Sequence, residues 1–176
     1  MSTFDPSRRA FMGSAATGLA SIALATAANA RADPRKDTFP YEVTRTEAEW
    51  RAMLTNDEYN ILRKGSTELP KSSNLWNETR DGTYSCKGCD LTLFDSKWKS
   101  PVDKGWVFFH QSRSNAVLTG IEGKPPSEYG MKNPPPSMIE VHCRRCGSHL
   151  GHILKVMDEV LYCCDGTGMN FTLAST

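Results

Sequence analysis

The chain has 176 residues, 39% hydrophobic and 23% charged, with 21 basic against 20 acidic side chains and a formal net charge of +1 at pH 7. That balance lacks the basic footprint of a nucleic-acid binder. The length suffices for one respectable core and not two, once the N-terminal residues are set aside as a leader.

Residues 1–32 read as that leader. Ser7-Arg8-Arg9-Ala10-Phe11-Met12 precedes a weakly apolar, uncharged run from Gly13 to Ala28, and Ala28-Asn29-Ala30 and Ala30-Arg31-Ala32 offer small-residue cleavage sites. A charged start, an apolar middle and an A-x-A ending make a secretory signal. The paired arginines point to the bacterial twin-arginine route, with its translocase as a partner during export and the periplasm as destination. Retention as a membrane anchor is the alternative, but Gly, Ser and Thr interrupt the run, which falls short of the roughly 20 apolar residues a span needs. Cutting after Ala32 removes Arg8, Arg9 and Arg31 from the basic side chains and Asp5 from the acidic ones, so the mature net charge is near −1.

Residues 33–42, rich in Asp, Lys and Pro with no visible period, read as a linker, and the folded domain as 43–176. Two short helices open it. Thr44-Arg45-Thr46-Glu47 fits a capping box, Trp50 and Leu54 are spaced as an apolar face, and so are Ala48 and Ala52. Thr55-Asn56-Asp57-Glu58 starts the second helix in the same way, and Gly65 is its expected stop. From Leu69 onward the texture changes to short strand-like runs, 82–85, 106–109, 114–118, 139–142 and 160–163. Pro- and Gly-rich stretches at 123–126 and 133–136 separate them as loops.

Six cysteines punctuate this part. Cys86-Lys87-Gly88-Cys89 and Cys143-Arg144-Arg145-Cys146 are two C-x-x-C knuckles, with Gly88 and Gly147 expected to ease the turns. Each knuckle offers two thiolates, and two knuckles complete a closed tetrahedral shell for structural Zn²⁺. The 53 residues between Cys89 and Cys143 exceed zinc-ribbon spacing, so such an ion would tie the start of the β region to its end. Two disulfides are the alternative in an exported protein. Cys163 and Cys164 remain, either as buried apolar residues or as one nucleophile activated by His149 or His152. Neighbours in a strand point to opposite faces, so only one of the two can face a given pocket. His110 and His142 read as packing or surface residues, with His142 a possible competitor for the metal.

The run Val141-His142-Cys143-Arg144-Arg145-Cys146-Gly147-Ser148-His149-Leu150-Gly151-His152 closely resembles B-type methionine sulfoxide reductases. Also similar are Val43 to Trp50, Gly65 to Glu68, Gly82 to Cys86, Leu93 to Ser96, Gly105-Trp106, Ala116-Val117 and Tyr162-Cys163, in that order. The resemblance implies a mainly β fold of two small antiparallel sheets with short N-terminal helices, clipped by zinc at a site remote from the reaction. It implies that Cys163, following Tyr162, is the catalytic thiolate. It also implies that His149 and His152 orient the substrate oxygen and move protons, and that Trp106 holds the substrate methyl group, with Phe109 completing that wall. The substrate would be methionine-R-sulfoxide, free or in oxidised proteins. Attack by the thiolate leaves methionine and a sulfenic acid on Cys163, which a second thiol resolves.

This chain departs from the family pattern near that site. Leu161 stands where Arg is common. Asp165, counted among the substrate-binding residues, stands where Asn is common and adds a negative charge that raises a thiol pKa. Val107-Phe108 replaces Pro-Ser after Trp106, and Lys104 occupies the usual resolving-cysteine position. An external thioredoxin-like or other thiol reductant is therefore expected, acting on a monomer. The competing readings are a catalytically degenerate zinc-scaffold binding protein and a vicinal-cysteine thiol redox protein.

Overall fold

The computed structural model describes residues 39–125 and 132–175. The expected leader and residues 33–38 of the expected linker lie outside them. Helix α1 spans Glu47–Met53 and is capped by Thr46, whose N–H donates to Glu49 Oε2 at 2.7 Å while its hydroxyl accepts from Glu49 N at 3.3 Å. The box therefore begins two residues after the Thr44 frame, because Val43 N donates to the Arg145 carbonyl and the Arg45 guanidinium to the Gly88 carbonyl. Trp50 and Leu54 are buried, whereas Ala48 and Ala52 face solvent. Helix α2, Asn56–Lys64, starts at Thr55 with the reciprocal Glu58 contact and stops at Gly65, in the left-handed conformation at φ 69°. Its Tyr59, Ile61 and Leu62 are buried.

Nine strands follow among the described residues: β1 Gly82–Cys86, β2 Thr92–Asp95, β3 Lys99–Ser100, β4 Val107–Phe109, β5 Val117–Glu122, β6 Met138–Cys143, β7 His149–Val156, β8 Glu159–Cys164 and β9 Met169–Leu173. They form two antiparallel sheets, β2-β1-β9 and β3-β4-β8-β7-β6-β5. The mainly β expectation holds, and each expected run meets a strand. The run at 114–118 reaches β5 only at Val117; residues 114–116 form the turn before it. Strands β2, β3, β7 and β9 add to the expected set.

One core joins the sheets. Tyr84 of β1 and Phe94 of β2 meet Phe109 of β4, with ring centroids 5.0 Å and 4.2 Å away and the Phe94 ring stacked nearly parallel. Trp50, Leu62, Val107, Val141, Leu150 and Cys164 belong to the same buried cluster.

Candidate active site and metal clip

Cys86 closes β1 and Cys89 lies in the turn after it; Cys143 closes β6 and Cys146 lies in the turn before β7. The four sulfurs lie within 4.8 Å of one another. Cys86 Sγ is 3.7 Å from Cys146 Sγ, and Cys89 Sγ is 3.5 Å from Cys143 Sγ. A tetrahedron with metal–sulfur bonds of about 2.3 Å has edges of about 3.8 Å, whereas a disulfide holds its sulfurs at about 2.05 Å. All six cysteines are free thiols here. The four donors therefore fit a metal ion, and that ion would join the small sheet to the large one. His142 stays outside the set, 3.6 Å from Glu140 Oε2.

The two knuckles turn differently. Gly147 takes φ +67°, but at the first knuckle the left-handed residue is Asp90, at φ 59°, and not Gly88. Gly88 is small for another reason: a Cβ there would lie 2.8 Å from Ser148 Oγ and 3.3 Å from the Trp50 ring. Guanidinium groups surround the pair, Arg45 and Arg145 donating to the carbonyls of Gly88 and Cys89, and Arg63 to that of Cys146. Such cations suit a cluster whose four thiolates would outweigh a divalent ion.

On the large sheet, the register sets a second group in one row. Phe108 pairs with Cys163, Cys163 with His152, His152 with Glu140, and Glu140 with Gly120. Directly opposed residues share a face, so these side chains line the side away from the main core. Leu161, two residues before Cys163, shares it by the same period. Phe108 and Leu161 are buried yet lie outside the core cluster that holds Phe109, Val107 and Cys164. Cys164, fully buried, belongs to the other face. Gly151 permits this pairing, since a Cβ there would collide with the Cys163 carbonyl oxygen.

Both expected histidines carry carboxylate partners. His149 is wholly buried, with Nδ1 2.7 Å from Glu140 Oε1, and His152 Nε2 lies 3.0 Å from Glu122 Oε2. Their rings stand edge to face, 5.1 Å apart. Burial pushes His152 below the usual imidazole range, Glu122 opposing that shift, so its ring is neutral at pH 7. Cys163 is pushed the other way: burial first, then the charges of Asp165 and Glu68, hold its thiol well above its ordinary range. At rest it is protonated.

Asp165 and Trp106 meet through Glu68. The Glu68 N–H donates to Asp165 Oδ1 at 3.0 Å, its carboxylate accepts from Gly166 N and Thr167 N at 2.8 Å each, and its carbonyl accepts the Trp106 indole N–H at 3.2 Å. Burial raises the Asp165 carboxyl to about 8, the Glu68 N–H pulling it partly back. The folded chain thus keeps a proton that an unfolded chain releases near pH 4, so this carboxyl costs stability increasingly as pH rises from about 4 to 8. Asp165→Asn should melt several degrees above the parent at about pH 8 and converge with it near pH 4. An equal gap at both pH values would mean that Asp165 is not the titrating group.

The expected site residues thus fall into two connected sets, Cys163 with His149 and His152, and Trp106 with Asp165. Phe109 joins neither. It lies on the core face, 0% exposed and stacked on Phe94, so the aromatic beside Cys163 is Phe108. Sequence reasoning also gave no role to Glu68, Glu122 or Glu140. Glu140 stands between the apolar Ile139 and Val141, a pattern that reads as the solvated face of a strand.

The SelR domain family matches residues 54–173. Among curated proteins, the peptide methionine sulfoxide reductase MsrB of Methanosarcina mazei is 34% identical over 134 residues, covering 74% of this chain and 90% of that protein. MsrB of Pseudomonas entomophila is 38% identical over 112 residues, 64% of this chain and 79% of that one. Peptide methionine sulfoxide reductase B3 of Arabidopsis thaliana is 30% identical over 142 residues, covering 78% and 74% respectively. The family match takes in both knuckles, both histidines and the Cys163 pair, and the chain belongs to the SelR domain family.

Proposed function

We propose that this chain reduces methionine-R-sulfoxide, free or in oxidised proteins, to methionine with Cys163 as nucleophile. The observation that carries the reading is the cross-strand row in which Cys163 stands opposite His152 and beside Phe108, within a chain whose relatives are named peptide methionine sulfoxide reductases. The raised thiol pKa fits a particular order of events. Cys163 keeps its proton until a sulfoxide is bound, then loses it as the sulfoxide oxygen gains one, with neutral His152 as carrier and His149 beside it. Sγ attacks the substrate sulfur, the S–O bond breaks, and oxygen passes to Cys163: thiol plus sulfoxide gives sulfenic acid plus methionine. One external thiol then forms a mixed disulfide with loss of water, and a second releases Cys163 as a thiol. Trp106, tethered to Glu68, is the wall for the S-methyl group, and Asp165 stays with the substrate side.

Zn²⁺ is the ion this proposal assigns to Cys86, Cys89, Cys143 and Cys146, since four thiolates in a tetrahedron suit it. Its contribution is structural, a closed site with no position for substrate. The arginine pair and the small-residue cleavage sites support the twin-arginine leader over 1–32 and a periplasmic location; the linker over 33–42, a thioredoxin-like reductant and a monomeric enzyme complete the reading. The alternative of a degenerate binding protein draws on Leu161 and Asp165, the first an apolar and the second an acidic side chain near Cys163 in sequence. The vicinal redox pair gains no support from two thiols on opposite faces of a strand.

Purified protein incubated with a dithiol and either epimer decides the matter. Methionine formed from the R epimer alone supports the proposal. A folded, metal-loaded sample that forms none from either epimer would overturn it in favour of the binding protein.

A further inference from the structure

The face that carries Cys163 holds more acid and imidazole than the thiol chemistry uses. Glu140 is 2% exposed yet sits against two rings, Oε1 2.7 Å from His149 Nδ1 and Oε2 3.6 Å from His142 Nδ1. Glu122 reaches in from edge strand β5, its Oε2 3.0 Å from His152 Nε2. One donor atom each from Glu122, Glu140 and His149 lies within 4.8 Å of the others. Two metal–ligand bonds of about 2.1 Å span up to about 4.2 Å, so small side-chain shifts would close the set on one ion.

We propose that Glu122, Glu140 and His149 form a second divalent-cation site, separate from the four thiols, with His152 beside it as a further donor. A buried carboxylate is costly unless positive charge meets it, and here two carboxylates share a small space with imidazoles. An independent observation concerns the far side of His149. Its Nε2 is buried without a hydrogen-bond partner, and Asp165 Oδ2 stands 3.9 Å away. With the ion on Nδ1 the ring proton moves to Nε2, toward the Asp165 carboxyl, and an oxygen facing that second nitrogen commonly orients metal-binding histidines. The half-exposed Glu122 gives the ion its way in from the sheet edge. Mixed imidazole and carboxylate donors suit a borderline ion such as Zn²⁺ or Co²⁺. Occupancy engages His149, so ion and sulfoxide would exclude one another; that consequence alone rests on the reductase reading.

Equilibrium dialysis of the full chain against Zn²⁺, with bound metal measured by atomic emission, tests the site. The expected result is two ions per chain. Glu122→Gln, at a partly exposed edge position that leaves the core untouched, should weaken the second ion at least tenfold and leave the first unchanged. Co²⁺ added to the zinc-loaded protein should show weak visible bands without the intense thiolate charge-transfer absorption. One ion per chain, or a second that binds equally well to Glu122→Gln and Glu140→Gln, would overturn the proposal. The readout is bound metal and not methionine, so its failure leaves the reductase reading intact, and the reverse also holds.

Discussion

Cys163→Ser is expected to form no methionine above background from methionine-R-sulfoxide, a loss on the order of a thousandfold or more, because a hydroxyl is a far weaker nucleophile than the thiol it replaces. Cys164→Ala should still release one methionine per chain in the first turnover. The register sends its sulfur into the core with Val107 and Leu150, where truncation costs about 1 kcal/mol of packing and touches nothing on the Cys163 face. Quench experiments with excess sulfoxide and no reductant separate the two variants cleanly. If Cys164→Ala lost the first turnover and Cys163→Ser kept it, the nucleophile would be misassigned. The same pair of variants bears on recycling. With Cys164 on the opposite side of the sheet, an oxidised Cys163 has no neighbouring thiol on its own face, so steady turnover should depend on added thiol in the parent and in Cys164→Ala alike.

Stripping the metal is expected to be as damaging to the fold as Cys163→Ser is to the chemistry. The sulfurs lie at the ends of β1 and β6, on different sheets, and the Cys86–Cys146 contact spans 60 positions of chain. Binding of a structural ion by four thiolates supplies on the order of 10 kcal/mol, comparable with the 5–15 kcal/mol total stability of a domain. Without it, four buried or half-buried thiols and the carbonyl-bound guanidiniums of Arg45, Arg63 and Arg145 would be left facing one another. Trp50, buried with Arg45 and Arg63 over its ring at 4.8 Å and 4.6 Å, reports on that packing by fluorescence. Prolonged chelation, or Cys143→Ser, should abolish the cooperative melting transition and expose Trp50. Retention of the parent melting temperature after metal removal would show that the thiols do not clip the sheets.

The knuckles and the histidine segment were legible in the sequence because spacing alone constrains them: two thiols two residues apart must share a turn. The helix caps were legible almost to the residue. The frame at Thr44 failed only because Thr46 offers the same chemistry two positions later, and a tertiary bond from Val43 to Arg145 keeps the earlier frame extended. Facing directions were harder. Val107-Phe108-Phe109 is buried on both sides, so its apolar run has no period from which to choose between Phe108 and Phe109; the choice is made by pairing with β8, which no local pattern encodes. Strand β7 was hidden in a different way, since its start was occupied by Gly and His residues that read as a motif rather than as a strand. Glu140 shows the limit of polar alternation: a carboxylate between two apolar residues suggests a solvated face, and here that face is covered.

The adjacency of Cys163 and Cys164 makes strand register itself a chemical variable. Sliding β8 by a single residue against β4 and β7 would exchange the two sulfurs between faces, and a thiol would still look out over the histidines. Its surroundings would not travel with it: Leu161 and Asp165 would shift with the strand while Phe108 and His152 stayed behind. The tight approach at Gly151, where the Cys163 carbonyl lies against a backbone without a Cβ, lets β8 lie close to β7. The register itself is held by the burial of Val107 and Cys164 in the core, so on the reductase reading the choice between two identical thiols is made by packing on the other side of the sheet.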